Sequence, residues 1–209
     1  EKTYAEYLCD PFNPVPYTAK FEDSKSFYNE VHLIEDQRYV STRPDVLTFE
    51  SEVLTQDVTI AGPIIADLFV STTGTDADFV VKVIDVYPDN ENDTDPNPAQ
   101  VEMGGYERLV RTEIMRGKFR NSYENPEPFE PNKVTEVKIN LNDAFHTFKP
   151  GHKIMIQVSS SYFPFFDVNP NTFCDIYNAD KDKFVKAMIK IYHSKDHPSS
   201  IKFITLKRQ

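Results

Sequence analysis

The strongest constraint on the fold is a pair of alternating segments within residues 134–172. The second segment begins near His152, and its two faces carry Ile154, Ile156 and Val158 on one side and Lys153, Met155 and Gln157 on the other. A period of two is typical of a half-buried antiparallel strand. The turn Lys149-Pro150-Gly151 separates the two segments, so this stretch predicts two antiparallel strands.

The same pattern recurs through the rest of the chain. From Val46 onward, short apolar or alternating segments are separated by turn residues: LTFESEVL, DVTIAG, IIADLFVSTT, DFVVKVIDVYPD, FVKAMIKIYH and SIKFITLKRQ. We expect DVTIAG to end at Gly62-Pro63, and DFVVKVIDV to be a central strand covered on both faces. No segment shows a helical stripe longer than two turns. The pattern predicts an all-β antiparallel sandwich of the jelly-roll type.

The chain divides into an irregular N-terminal part, residues 1–45, and a β-sandwich, residues 46–209. The segment DPFNPVPYT, residues 10–18, contains three prolines, which fix φ and remove hydrogen-bond donors. It is therefore expected to run extended over the surface of the sandwich. Residues 20–36 are polar with scattered aromatic side chains and are read as a long loop or a short helix.

Composition excludes several classes of function. The net charge of −10 argues against a nucleic-acid partner, because phosphate binding needs clustered cations. The chain has no apolar run of the roughly 18 residues that a membrane-spanning helix needs. Cys9 and Cys174 are either a disulfide or two free thiols, and two cysteines are too few for a Cys-rich zinc site. We predict no cofactor and no metal, and a periplasmic or secreted location is favoured over a cytoplasmic one.

The residue types that could carry catalysis lack supporting motifs. Ser159, Ser160 and Ser161 have no G-x-S-x-G elbow around them, and hydroxyls at a strand end usually bond to local backbone. The histidines are interpreted as surface residues: His32, His146, His152, His193 and His197. The arginines of one strand are interpreted as members of exposed cross-strand ion pairs with Glu107 and Glu113: Arg108, Arg111, Arg116 and Arg120. No catalytic residue is predicted.

The acidic run from Asp89 to Asn97 (DNENDTDPN) invites a calcium interpretation, because hard cations prefer carboxylate and carbonyl oxygens. The EF-hand pattern fails, however, since Thr94 stands at the sixth loop position and Gln100 at the twelfth. A solvated hairpin loop is the favoured interpretation.

An aromatic loop, SYFPFFDVNPNT, follows the strand that opened this section. Its rings exceed what a loop usually buries within its own domain, although some of them must belong to the core. Exposed apolar patches of this kind mark interfaces, and interface and local core both stay open here. The candidate interface residues are Tyr162, Phe163, Pro164, Phe165, Phe166, Asp167, Asn169 and Asn171.

Several motifs occur together in one order: DPFNPVPYT, RPDVLTFESEVLTQDVTIAGP, TDADFVVKVIDVYPD, FHTFKPGHKI and VSSSYFPFFDVNPNT. In this order they resemble the C-terminal domain of the cocaine esterase and X-Pro dipeptidyl-peptidase superfamily, which includes α-amino-acid ester hydrolases and glutaryl acylases. The resemblance spans residues 7–206, although residues 20–36 do not match. It implies a jelly roll similar to galactose-binding-like domains. It also implies a Ser-His-Asp triad in an absent α/β-hydrolase domain, so no residue of this chain inherits a catalytic role.

Two hypotheses follow. The first is a non-catalytic β-sandwich of a serine hydrolase that covers the hydrolase core and lends loops to the pocket rim or to oligomer contacts. Its partners would be its own hydrolase and cap domains upstream, and a homo-oligomer is compatible with it. The second is a stand-alone carbohydrate-binding module whose exposed tyrosines stack on sugars, an interpretation that the absence of Trp weakens.

Overall fold

The structure, a computed structural model, describes residues 2–19 and 30–206. Antiparallel strands dominate these ranges, which confirms the all-β prediction. In chain order the strands are β1 (Tyr4–Cys9), β2 (Leu47–Glu50), β3 (Val58–Thr72), β4 (Asp78–Val86), β5 (Glu107–Arg116), β6 (Thr135–Phe148), β7 (Lys153–Ser159), β8 (Ala187–Tyr192) and β9 (Ser200–Thr205).

Helical structure is confined to short turns. One α-helical turn, α1, spans Arg38–Ser41. The 3-10 turns span Glu30–Leu33, Gly117–Phe119, Ile176–Asn178 and Lys181–Lys183. Within the described ranges, no helix is long and apolar enough to cross a membrane.

Two sheets face each other as a sandwich. The first sheet has the order β1-β8-β3-β6, with β9 also paired to β3, and the second has the order β2-β7-β4-β5. Neighbours within each sheet are mostly far apart in sequence, an arrangement consistent with a jelly roll.

The main core lies between the two sheets and follows from the alternation in the sequence. On β4, Phe79, Val81 and Val83 point into this core, and on β8 Ile189 and Ile191 meet them from the other sheet. All five side chains are buried. At about 25 cal/mol per Å² of apolar surface removed from water, such burial is the main driving force for this fold.

The predicted break at Gly62-Pro63 is wrong, because β3 is one continuous strand. The chain passes the break by a register shift against β6 between Pro63 and Ile65. Gly62 has a φ of +117°, a conformation that favours glycine, and Pro63 cannot donate a ladder hydrogen bond. The two residues therefore produce an irregularity within a strand, where the sequence pattern alone indicated a turn.

The N-terminal part covers the outer face of the second sheet. We name residues 10–19 and 30–46 the covering segment. Residues 20–29, part of the stretch 20–36 that was predicted to be a long loop or a short helix, lie outside the described residues. Val15, Val40 and Val46 form a small apolar cluster of this segment. Because of this cover, Met155 and Gln157 are buried, so β7 is buried on both faces rather than on one. Upstream of the covering segment, Tyr4–Cys9 is a regular strand.

Two of the five histidines contradict the surface interpretation, since His32 and His152 are buried. His152 Nδ1 lies 2.7 Å from Asp85 Oδ1, and His146 Nε2 lies 2.8 Å from Asp85 Oδ2. Asp85 belongs to the second sheet and His146 to the first, so this buried carboxylate connects the two sheets at one end of the sandwich. Sequence spacing gave no sign of it, because the three residues come from separate elements.

The interpretation of Arg108, Arg111, Arg116 and Arg120 as members of exposed ion pairs with Glu107 and Glu113 is also wrong, and Arg120 lies beyond the end of β5. Arg116 pairs with the buried Asp78. Arg120 stacks on the Phe129 ring at 4.2 Å. The other two bond to neutral oxygens: Arg108 to the Tyr87 hydroxyl and Arg111 to the Leu141 carbonyl.

The structure also describes the two cysteines and the acidic run. Cys9 and Cys174 are both free thiols. In the acidic region, the Met103 amide donates to Asp93 Oδ1 at 2.8 Å, and Asn97 exchanges two hydrogen bonds with the backbone of Val101. These side chains therefore bind backbone groups of their own hairpin region.

Candidate functional site

The aromatic loop, residues 162–172, is attached along one side to the covering segment. The Phe163 amide donates to the Val15 carbonyl at 3.0 Å, and the Tyr17 amide donates to the Phe163 carbonyl at 2.9 Å. The rings of Tyr17 and Tyr162 meet edge to face with centroids 6.0 Å apart. Tyr162 is consequently buried, and it fixes the start of the loop.

The other end of the loop is held by a network of amides and carboxylates. Asn169 Nδ2 donates to Asp78 Oδ1 at 2.7 Å, and Asn169 Oδ1 accepts from the Asn171 amide at 2.8 Å. Asn171 Nδ2 donates to the Val185 carbonyl at 2.7 Å, and its own carbonyl accepts from the Thr75 amide. Both asparagines are buried, so they bind within this domain.

The loop approaches the turn between β3 and β4 closely enough to require a glycine there. A Cβ added at Gly74 would lie 2.2 Å from the Asn171 carbonyl oxygen, a distance that no real side chain tolerates. Asn171 itself has a φ of +62°, which asparagine adopts more readily than most residues. The motifs TGTDAD and NPNT therefore contact each other, through Gly74 and Asn171.

The electrostatics of this contact are unusual. Burial raises the pKa of Asp78 to about 6, although the neighbouring Arg116 guanidinium opposes the rise. Arg116 Nη2 lies 3.3 Å from Asp78 Oδ2 and also donates to the Asp167 carbonyl at 2.9 Å. Burial likewise raises the pKa of Asp76. The carboxylates thus serve as hydrogen-bond acceptors for the loop and carry a desolvation cost for doing so.

Lys82 anchors the covering segment at the centre of the second sheet. It lies on the outer face of β4 and is only 3% exposed. Its Nζ donates to Gln37 Oε1 at 2.7 Å and lies 4.9 Å from the centre of the Tyr162 ring and 5.7 Å from that of Tyr39. Burial lowers the pKa of Lys82 to about 7, with Glu35 and Glu107 opposing the change.

Glu107 extends the same polar layer. Gln157 Nε2 donates to Glu107 Oε2 at 3.3 Å, and the Gln37 amide donates to the Glu107 carbonyl at 2.9 Å. Burial raises the pKa of Glu107 to about 7. The covering segment is therefore joined to the sheet by buried polar contacts as well as by apolar ones.

Above this layer, an open groove of about 420 Å³ runs between the covering segment and the aromatic loop. Its walls include rings from both, since the His32 and Phe165 ring centres are 5.5 Å apart. Phe163, Phe165 and Phe166 are 40%, 37% and 40% exposed. Phe165 and Phe166 line the groove together with residues 109–114 of β5, whereas Phe163 lies outside it. The groove is suited to contact with another protein surface.

The candidate interface residues separate into two groups in the structure. Asp167 is exposed like the three Phe side chains, and Pro164 is half-buried. By contrast, Tyr162, Asn169 and Asn171 are buried and hold the loop to its own domain. The sequence reasoning missed Lys82 and Gln37, although a lysine within the apolar run DFVVKVIDV was a signal that could have been used.

The groups that could carry chemistry are engaged elsewhere. Ser160 Oγ lies 2.7 Å from the Tyr7 hydroxyl, and Ser161 Oγ accepts from the Val15 amide at 2.7 Å. Ser159 Oγ donates to the Ser161 carbonyl. Among the described residues, no three His, Cys, Asp or Glu side chains come together as a metal site.

Comparison with known proteins gives concordant matches over nearly the whole chain. Residues 4–202 match the model of the X-Pro dipeptidyl-peptidase C-terminal non-catalytic domain. Cocaine esterase from Rhodococcus sp. (strain MB1 Bresler) is 35% identical over 202 residues, which are 97% of this chain and 32% of the esterase.

Solved structures agree with these matches. An aminopeptidase from the marine sediment archaeon Thaumarchaeota archaeon superimposes with a TM-score of 0.90 at 37% identity, covering 99% of this chain and 34% of that one. An α-amino acid ester hydrolase gives a TM-score of 0.89 at 39% identity, covering 99% and 33%. The chain therefore spans about a third of the length of these relatives.

Proposed function

This chain belongs to the family of X-Pro dipeptidyl-peptidase C-terminal non-catalytic domains, and we propose that it is the C-terminal part of a longer serine hydrolase. That enzyme would cleave esters or amides of small acyl or aminoacyl groups. The observation that carries the proposal is a family match over residues 4–202 in a chain without a nucleophile elbow. The relatives are named as an esterase, an aminopeptidase and an ester hydrolase, and they are about three times as long.

In the proposed parent enzyme, the reaction takes place upstream of this domain. A serine would form an acyl-enzyme, a histidine would act as its base, and backbone amides would stabilise the oxyanion. This chain contributes structure: it packs on the hydrolase and cap domains. The family match favours this function over the carbohydrate-binding alternative.

We further propose that the upstream domains contact the groove and the exposed part of the aromatic loop, which consists of Phe163, Phe165, Phe166 and Asp167. The support is physical. The rings are half-exposed, while the loop beneath them is fixed by Tyr162 at one end and by Asn169 at the other. Because the loop is fixed, its exposed rings would lose little conformational entropy on association, which favours tight packing. The same loop would lie at the rim of the substrate pocket.

The activity is tested with two proteins, the longer parent chain and the 209-residue chain. Hydrolysis of a p-nitrophenyl ester is measured before and after treatment with a serine-directed phosphonate. We expect phosphonate-sensitive turnover by the parent and none above background by the 209-residue chain. Serine-dependent turnover by the 209-residue chain would contradict the proposal, as would a parent that is inactive on ester, amide and X-Pro substrates.

The docking surface is tested by truncating Phe165 to Ala in both proteins and comparing the loss in free energy of unfolding of this domain in urea. A buried Phe typically contributes about 3–5 kcal/mol. We therefore expect the loss to be at least about twice as large in the parent, where Phe165 would be covered, as in the 209-residue chain. Phe145→Ala is the control, because Phe145 is exposed on the other sheet. Equal free-energy losses for Phe165→Ala in the two proteins would refute the docking role.

A further inference from the structure

Besides the terminal strands β1 and β6, the first sheet has a further strand, β9, with an edge that the described residues leave unpaired. β8 and β9 lie end to end along the same side of β3: β8 pairs with Val70–Thr72, and β9 pairs with the stretch from Ile60 to Asp67. Beyond β8 the sheet continues with β1, whereas β9 pairs with β3 alone within the described ranges. Proteins usually protect such an edge, because its free amides and carbonyls can pair with another chain.

An apolar groove opens beneath this edge. It has a volume of about 260 Å³, and its apolar lining comes from both sheets: Phe49, Leu68, Ile156, Val158, Ile191 and Ile201. Leu68, Val158 and Ile191 belong to the main core. These three side chains are themselves buried, so the groove reaches the edge of the main core without exposing it, at the place where a strand beside β9 would cover the groove.

The direction of β1 leads to the same place. β1 runs antiparallel to β8, with Tyr4 opposite Tyr192, and the pairing continues as His193 N donates to the Thr3 carbonyl at 2.9 Å. Because β8 and β9 run in the same direction along β3, a backward extension of β1 runs along the free edge of β9. In the loop between β8 and β9, the His197 ring packs on Phe69 with ring centres 5.5 Å apart, on the outer face of the sheet, while His193 and Ser199 at its ends border the groove.

We infer that residues upstream of Glu1 in the longer chain supply a closing strand, which pairs antiparallel with β9 and covers the groove between Phe49 and Ile201. This inference rests on the proposed function, because it requires the longer chain. The relatives contain about twice as much additional chain as the residues described here. β9 is six residues long, and about six extended residues, some 20 Å, are enough to pair along it. The closing strand should alternate, with its apolar side chains facing Phe49 and Ile156.

The test is amide hydrogen exchange at β9, measured residue by residue in the longer chain and in the 209-residue chain. Amides that point away from β3 report the closing strand, and amides that point toward β3 are internal controls. We expect the outward amides to exchange roughly 100-fold or more slowly in the longer chain than in the 209-residue chain, since a paired amide exchanges only after local opening.

A matched pair of variants links the protection to the groove. Phe49 and Phe173 are both 37% exposed, but only Phe49 lines this groove. In the longer chain, Phe49→Ser should accelerate exchange of the outward β9 amides about 10-fold or more, and Phe173→Ser should leave it unchanged. If Phe49→Ser does not fold, the exchange of the unmodified longer chain decides the question by itself.

Two results would overturn the inference. The first is fast exchange of the outward amides in the longer chain. The second is equal protection of the outward amides in both proteins. If that protection depends on protein concentration and dimers are present in sedimentation, a second copy of the chain occupies the edge. The hydrolase assay is independent of either result: an active parent with an unprotected β9 would refute the closing strand alone and leave the proposed function intact.

Discussion

The two faces of β4 show two different ways of burying one strand. The inner face packs Phe79, Val81 and Val83 against the other sheet through apolar contacts, and only at its end does Asp85 bind His146 across the two sheets. The outer face carries Lys82 between apolar neighbours and meets the covering segment through a hydrogen bond to Gln37. Both faces are buried, yet only the outer one includes a cation beneath a segment of irregular chain.

The difference lies in specificity. Apolar burial is strong but non-directional, so the inner face sets the sandwich without selecting one arrangement of a covering loop. Buried polar groups must find partners at defined positions, because an unpaired one costs free energy. On the outer face, Asp78 and Lys82 supply such positions for the aromatic loop and the covering segment. The candidate docking surface is therefore held by the outer face of β4, whose buried polar contacts are more specific than the apolar contacts of the inner face.

The largest effect should come from the inner face. Phe79→Ala removes a fully buried ring and should lower the free energy of unfolding by about 3–5 kcal/mol. Urea denaturation of the 209-residue chain measures it, with Tyr123→Ala as the exposed control. A loss close to that of the control would show that the inner layer does not dominate stability.

A smaller effect is expected where the aromatic loop meets β4. Asn169→Ala removes the hydrogen bond to the buried Asp78 carboxylate and should lower the free energy of unfolding by about 1–3 kcal/mol. Asn178→Ala is a matched control, because Asn178 Nδ2 makes the same kind of bond to Asp175 at 2.6 Å on the surface. Urea denaturation and hydrogen exchange of the aromatic loop report the two variants. Equal losses would mean that burial adds nothing to this contact.

The smallest of the three effects is a pH dependence located in the outer layer. Burial lowers the pKa of Lys82 to about 7 from 10.5, so the unfolded chain binds more protons than the folded one between these values. Stability therefore rises with pH above about 7, and Lys82→Met should remove this rise. Between pH 7 and pH 9, the free energy of unfolding of the unmodified chain should rise by about 1–2 kcal/mol more than that of Lys82→Met.

Two other groups affect the pH profile. Burial raises the pKa of the Cys9 thiol to about 11, so stability falls as the unfolded thiol ionises, which opposes the effect of Lys82. The raised pKa of Glu107, about 7, lowers stability as pH rises from about 4.5 to 7. Because Glu107 interacts with Lys82, thermal or urea unfolding is compared with and without Lys82→Met in a Glu107→Gln background, where Cys9 is common to both proteins. Parallel profiles would contradict the assignment.

Short-range pattern was sufficient for much of the fold. The residue patterns of IIADLFV, DFVVKVIDV and FVKAMIKIYH correctly predicted strands, and DFVVKVIDV is covered on both faces as expected. The pattern was misleading at Gly62-Pro63, where turn residues occur within a strand, and it did not identify β1. Such a pattern depends only on residues that are neighbours in the sequence, so it does not show which distant segments pack on a strand.

For the candidate site, the sequence indicated the aromatic loop but not how the loop is held. The rings were evident, whereas Asn169 and Asn171 were grouped with them and prove to be buried anchors. Their partners, Asp78 and the carbonyl of Val185, are distant in sequence. A single chain without its tertiary contacts gives no means to tell an anchor from an exposed contact residue.

The all-β class and the inward faces of the main strands were determined by local chemistry, because the period of side-chain polarity and the backbone limits of Gly and Pro act over a few residues. The buried outer layer, the amide–carboxylate contact and the open edge of β9 were decided only by the tertiary structure. Each of these features depends on which distant segments contact one another. Lys82 and Asp78 are buried because of those contacts, and not because of their residue type or their neighbours in the sequence.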